Sequence, residues 1–165
     1  MAPSERGVCA VLPGDNDAAL LDDLRRRFPN AELREGDPDF CQQMAEIFAH
    51  LDDSRRPVSL PLDLQGTAFQ LQVWQALRQI PVGETRSYRQ VAEHIGQPRA
   101  VRAVAGACAA NSRAVIVPCH RVVRADGSTT PAFGPGVQRA MLEAEGVPFT
   151  ADGRVELGGC RWDGA

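Results

Sequence analysis

The chain has 165 residues, enough for one domain or two small ones, and its 44% hydrophobic and 24% charged content is that of a globular protein with an ordinary core. No apolar run reaches the roughly 18 residues of a membrane span, the first residues lack a signal peptide's apolar segment, and five cysteines without paired spacing exclude a secreted disulfide scaffold and a zinc module. A cytoplasmic chain with no metal or cofactor is therefore expected, and its net charge of −3 hides an uneven distribution: −6 over residues 1–70, +5 over residues 84–124, with Arg as the sole basic residue.

In chain order, residues 7–12 predict a short strand ending at Pro13-Gly14. Asp15 or Asp17 can cap a helix to about Phe28, with Ala18, Leu20, Leu21 and Leu24 on its apolar face. A second helix is predicted from Asp37 or Asp39 to about Leu51, and a strand over 57–64. Gly66-Thr67 opens a strong helix over 68–80, in which Phe69, Val73, Trp74 and Leu77 fall on one buried face.

Past the Pro81-Val82-Gly83 turn, helices are predicted over 85–94 and 99–110, broken at Gly96-Gln97-Pro98. Two helices around such a turn read as a helix-turn-helix. The second is lined with Ala100, Val101, Ala103, Val104, Ala105, Gly106 and Ala107, so it offers few groups to read base edges and suits close, sequence-independent docking in a narrow groove. The local positive charge over 84–124 fits a phosphate backbone. Residues 111–114 turn the chain into a strand carrying Cys119; Asp126-Gly127 is a turn, 128–136 a loop and 137–145 a helix stopped by Gly146. The tail is expected to be loop and short strand, anchored by Trp162.

The chemistry centres on Ile116-Val117-Pro118-Cys119-His120-Arg121-Val122-Val123. A free thiol with pKa near ~8.5 is mostly protonated at neutral pH and needs a base or a positive field to become a nucleophile. His120 can take the proton, and Arg121 and Arg124 add positive charge. The residues alone make Cys119 a candidate thiolate and go no further.

Pro118-Cys119-His120-Arg121-Val122-Val123 resembles the acceptor-cysteine motif of the O6-alkylguanine-DNA alkyltransferases. The likeness extends over about 60–146, through Gly66-Thr67-Ala68-Phe69-Gln70, Ile80-Pro81-Val82-Gly83-Glu84-Thr85 and Ala100-Val101-Arg102-Ala103-Val104. It implies an α/β, ribonuclease H-like N-terminal subdomain over 1–64, beginning late because the family has a further hairpin before the strand at Gly7. A mostly α domain over 65–165 would follow, holding the helix-turn-helix and the active site.

The implied function is single-turnover DNA repair by a monomer, in which the alkyl group of O6-alkylguanine in double-stranded DNA passes to the Cys119 thiolate. Two alternatives stand beside it: a lesion-binding protein without efficient transfer, and an alkyltransferase fold turned to a small-molecule alkyl donor. By the same resemblance His120 takes the thiol proton through a water, Glu145 orients His120, and Asn111 orders the active-site turn. Arg102 enters the stack in place of the extruded base, and Tyr88 presses the 3′ phosphate or donates to guanine N3. Arg99, Ala103 and Arg121 are the further DNA contacts, and Val117, Pro118, Thr130 and Phe133 line the guanine pocket. The chain departs from the family pattern after the cysteine. Phe133 stands nearest to a pocket Tyr, and Gln138-Arg139-Ala140 is a shortened stretch without the Lys that braces the active-site strand. A missing brace predicts a wider pocket, slower transfer from methyl donors and better tolerance of bulky groups.

Overall fold

The computed structural model describes residues 2–12, 16–34, 36, 38–53, 58–111, 116–130 and 136–156; Phe133 and Trp162 lie outside them. The described residues form two compact units, one up to Gln65 and one from Gly66 onward. Together they hold six α-helices and two small two-stranded sheets, a mixed α/β chain, and no helix among the described residues is long and apolar enough to cross a membrane.

In the first unit, β1 (Ala2–Ser4) pairs antiparallel with β2 (Gly7–Ala10), and Val8 forms a parallel bridge to Leu62 on the other side. Both edges of β2 are thus occupied at Val8, where the sequence pattern singles out no strand before Gly7. Gly7 makes the crossing possible: at φ 133° it lies so close to Pro61 that a Cβ would sit 2.1 Å from the Pro61 carbonyl oxygen. The strand predicted over 57–64 shortens, among the described residues, to the bridge at Leu62. Helix α1 (Asp17–Arg27) is capped by Asn16, whose side chain accepts from the Ala19 amide, rather than by Asp15 or Asp17. Helix α2 spans Pro38–Asp52, and its Ile47 joins Val8 and Ala10 among the buried residues of this unit.

The second unit opens with α3 (Ala68–Leu77), started by a capping box in which Thr67 and Gln70 satisfy each other's backbone amides. Of the predicted buried face Val73, Trp74 and Leu77 are fully buried and Phe69 only partly, the helix ends at Leu77 rather than residue 80, and Trp74 Nε1 donates to the Ala107 carbonyl at 2.9 Å. The predicted helix over 85–94 splits. Arg86–Ser87 is a strand, β3, and only Tyr88–His94 is helical, α4. Ser87 and Gln90 form a second capping box, which fixes the helix start at Tyr88 and leaves the two preceding residues extended. Helix α5 covers Val101–Ala109.

Cys119 does not sit on a strand. Pro118, at φ −77° and ψ 63°, is the centre of an inverse γ-turn closed by Cys119 N–H donating to the Val117 carbonyl at 2.7 Å. The proline ring holds φ in that range, so the apolar run bends where a strand would continue. Cys119–Arg121 then forms one 3-10 turn, and β4 (Val122–Val123) pairs parallel with β3. Helix α6 (Val137–Ala144) follows; its Leu142 packs with Val123, Val147 and Val155 into a buried cluster that Phe149 covers.

Candidate active site and nucleic-acid interface

The two-residue β3–β4 ladder places the site. Each strand is continuous with a functional element: β3 runs directly into Tyr88, and β4 leaves directly from the Cys119–Arg121 turn. Pairing Arg86 with Val122 and Ser87 with Val123 therefore sets the Tyr88 helix start beside the acceptor turn.

Cys119 is 1% exposed. Asn111, just beyond the C-cap of α5, donates Nδ2–H to Cys119 Sγ and to the Val117 carbonyl, each at 3.1 Å. The Val117 carbonyl also accepts from Cys119 N–H, so both its lone pairs are engaged. Val117 and Pro118, expected at the guanine pocket, are buried and shape the turn that carries the sulfur.

A hydrogen bond with Cys108 and burial push the Cys119 thiol well above the ordinary cysteine value, while the Asn111 amide pulls it down. Of the two arginines expected to add positive charge near the thiol, Arg121 is turned to Glu145, and Arg124 is exposed with its charge felt at Tyr88.

Arg121 is buried and bound to Glu145. Its Nε lies 2.9 Å from Oε2 and its Nη2 2.9 Å from Oε1, and its Nη1 donates to the Ile80 carbonyl at 2.6 Å. It is not placed to meet a phosphate, which removes it from the DNA-contact set. His120 Nε2 lies 2.8 Å from Glu145 Oε1. A carboxylate only accepts, so Nε2 carries hydrogen, and in the neutral ring Nδ1 is the basic nitrogen. Burial of Glu145 would raise its pKa, but hydrogen bonds from His120 and Arg121 bring it down to about 2.

The brace absent from the sequence pattern is present in another form. Gln138 is 1% exposed; its Nε2 donates to the His120 carbonyl at 2.9 Å and to the Val122 carbonyl at 2.8 Å, and its Oε1 accepts from Thr130 N–H at 2.7 Å. The Tyr88 hydroxyl shares a hydrogen bond with Thr130, and burial together with the nearby Cys108 and Cys119 sulfurs raises its pKa to about 12, so it keeps its proton at neutral pH. Cys108 and Gln138 are the two site residues that sequence reasoning missed. Cys108 carries one usable signal: it lies three positions before Asn111, so the helix and its C-cap present both on one side.

On α5, Val104, Ala107 and Cys108 face inward, while Arg102, Ala103, Gly106 and Ala109 are exposed. Arg99 and Arg89 are exposed nearby. A Cβ added at Gly106 would meet nothing within 4 Å, so internal packing does not require glycine there. The positive charge of 84–124 is narrower than the sequence suggests, because Arg86 and Arg121 are buried.

A buried thiol, next in sequence to an imidazole–carboxylate pair and in the same unit as an exposed helix of arginine and small residues, has the parts that cysteine-centred group transfer near a polyanion needs. Residues 68–147 match the family model described as 6-O-methylguanine DNA methyltransferase, DNA binding domain. The chain is 43% identical over 123 residues to the inducible methylated-DNA–protein-cysteine methyltransferase of Bacillus subtilis, covering 74% of this chain and 69% of that one. It is 56% identical over 139 residues to the bifunctional transcriptional activator/DNA repair enzyme Ada of Escherichia coli, covering 84% of this chain but only 39% of that protein's length. Among solved structures, Mycobacterium tuberculosis OGT in complex with DNA aligns with a TM-score of 0.61 and 45% identity over 66% of this chain and 69% of that chain. The chain belongs to the methylated-DNA–protein-cysteine methyltransferase family.

Proposed function

We propose that the chain repairs O6-alkylguanine in double-stranded DNA by moving the alkyl group to Cys119, once per molecule. The observation that carries this reading is the buried Cys119 sulfur, 3.1 Å from the Asn111 amide and followed in sequence by a His120 already paired to Glu145 at 2.8 Å.

In the proposed step the Cys119 proton leaves toward His120 Nδ1 through a water. The thiolate attacks the alkyl carbon, a C–S bond forms, and the C–O6 bond breaks with its electron pair passing to guanine. The developing imidazolium is stabilised by Glu145, which Arg121 holds ionised. Guanine recovers a proton from the Tyr88 hydroxyl, which is protonated at neutral pH and lies near Cys119, and Tyr88 regains it from the His120 imidazolium through water, so the proton lost by the thiol balances the one guanine gains. That placement supports the guanine-contact role over phosphate pressing. A thioether does not leave again, so no turnover follows.

Helices α4 and α5 act as a helix-turn-helix, with Arg102 entering the stack, Arg99 and Ala103 at the backbone and groove, and Thr130 at the pocket edge. Phe133, outside the described residues, is proposed as the pocket aromatic on the resemblance alone. The exposed small residues of α5 support minor-groove docking, where an extruded base can reach a buried thiol at a cost of a few kcal/mol. The first unit, over 1–64, is a ribonuclease H-like subdomain; its antiparallel hairpin with a parallel return at Leu62 supports this. The protein works as a monomer in the cytoplasm, since one chain supplies every group of the site and the free thiols call for a reducing compartment.

Incubation with a duplex carrying O6-methylguanine, followed by intact-mass measurement, tests the reading. A gain of one methyl group, mapped to Cys119, is expected. A shift of duplex mobility with no mass gain would overturn it in favour of lesion binding.

A further inference from the structure

Helix α6 grips the acceptor turn at two points. Gln138, in its first turn, takes the backbone carbonyls of His120 and Val122; Glu145, at its C-cap, takes the side chains of His120 and Arg121. Glu145 lies seven positions after Gln138, two helical turns, so both fall on the face that also buries Leu142. The same helix thus fixes the backbone and the charged side chains of one tripeptide.

The Gln138 end does something the Glu145 end does not. Its amide is two-sided: Nε2 donates both hydrogens to the acceptor turn, and Oε1 accepts from the Thr130 amide. Its orientation is fixed by these partners, since a flipped amide would set oxygen against two carbonyls and NH2 against an N–H. Thr130 in turn shares a hydrogen bond with the Tyr88 hydroxyl. A continuous chain, half-buried at Tyr88 and Thr130 and fully buried from Gln138 inward, therefore runs from Tyr88 through Thr130 and Gln138 to the residues on either side of Arg121.

We propose that Gln138 is a positioning residue that sets the gap between the Tyr88–Thr130 wall and the Cys119 sulfur, and so selects small alkyl groups. The inference rests on the alkyl-transfer reading above. No charged residue reproduces the amide. A lysine could serve the two carbonyls but presents a further donor to the Thr130 amide. A glutamate could serve the Thr130 amide but faces two carbonyl oxygens, which are acceptors only. An apolar side chain of the same size serves neither and leaves two buried carbonyls and a part-buried N–H without this partner. In each case the wall is released from the turn, and the pocket loses its fixed width.

The test uses the full chain and three variants, Gln138→Met, Gln138→Glu and Gln138→Lys. Rates of Cys119 alkylation are compared for duplexes carrying O6-methylguanine and O6-benzylguanine, alongside duplex affinity and circular dichroism. Gln138→Met should lose about tenfold or more on the methyl donor, the size expected for one or two lost buried hydrogen bonds, and much less on the benzyl donor. Duplex affinity should stay within about threefold, because α5 is untouched. In Gln138→Glu, the methyl rate relative to the natural chain should recover as pH falls and the buried carboxyl regains a donor proton; Gln138→Lys should show no such recovery. A loss of stability alone would slow both donors alike and leave the methyl-to-benzyl ratio unchanged, and that result would overturn the proposal. Should Gln138→Met fail to fold, the pH-dependent ratio of Gln138→Glu decides it: a flat ratio counts against the role. If the natural chain itself takes up neither group, the alkyl-transfer reading fails; if it takes up both and the variants match it, only the role of Gln138 fails.

Discussion

Replacing Glu145 by Gln should destabilise the second unit strongly at neutral pH and hardly at all in acid. The Glu145 carboxyl falls from 4.5 to about 2 on folding, because hydrogen bonds from His120 and Arg121 outweigh its burial. Two to three pH units at about 1.4 kcal/mol each give a stabilisation of about 3 kcal/mol. A second route agrees in size: the substitution would leave the Arg121 guanidinium buried with the Ile80 carbonyl and no counter-charge, and breaking a buried ion pair costs about 3–5 kcal/mol. The sign follows from a depressed carboxylate. The contribution is fully present above about pH 4.5 and disappears as pH falls through about 2. Urea unfolding of both proteins by circular dichroism at pH 7, 5 and 3 should show a gap of about 3 kcal/mol at the first two and a clearly smaller one at the third. Other carboxylates act equally in both chains and cancel from the gap. A gap under about 1 kcal/mol at pH 7, or one that does not narrow in acid, would refute the assignment of Glu145 as the partner of a buried cation.

Cys108→Ala removes the largest influence raising the Cys119 thiol, so alkylation by O6-benzylguanine at pH 7 should accelerate, with the two rate–pH curves converging in base; slower alkylation at every pH would contradict this. Gly106→Ala should stabilise the free protein by about 0.5–1 kcal/mol, since helix glycine costs that much and the space is empty. Gly106→Leu should weaken duplex binding while leaving reaction with free O6-benzylguanine unchanged, and equal loss on both substrates would show that this face does not meet DNA. Arg102→Ala should slow transfer from duplex but not from free base, and the affinity of the natural chain should fall with salt less steeply than seven arginines would give, because Arg86 and Arg121 are buried. A salt slope near six or seven would contradict that count.

The parts legible in the sequence are those written in local spacing. Thr67 with Gln70 announces α3, and the apolar rhythm through Val73, Trp74 and Leu77 gives its buried face without any knowledge of what it packs on. The Cys119-His120 pair is legible as chemistry, and the resemblance supplies Asn111 and Glu145, which the fold brings within hydrogen-bond reach of the cysteine and histidine respectively. What escapes is whatever depends on the partner rather than on the residue. Ser87 with Gln90 is the same signal as Thr67 with Gln70, yet apolar periodicity draws the helix back to Thr85, because the strand partner of Arg86 lies at Val122, far along the chain. Arg121 reads as a surface cation until Glu145 and Ile80 close around it.

Gln138 is the sharpest case, because a neutral amide carries no charge or periodicity to mark it, and an expected lysine makes its place look vacant. Two carbonyls on one side and an amide N–H on the other require a group that both donates and accepts. Among side chains of this length only glutamine does so without ionising. A buried ammonium would have to be desolvated, and the counter-charge nearest the acceptor turn, Glu145, is already engaged by His120 and Arg121. Glutamine here therefore holds both carbonyls of the acceptor turn and the Thr130 amide together, and does so without a second buried cation.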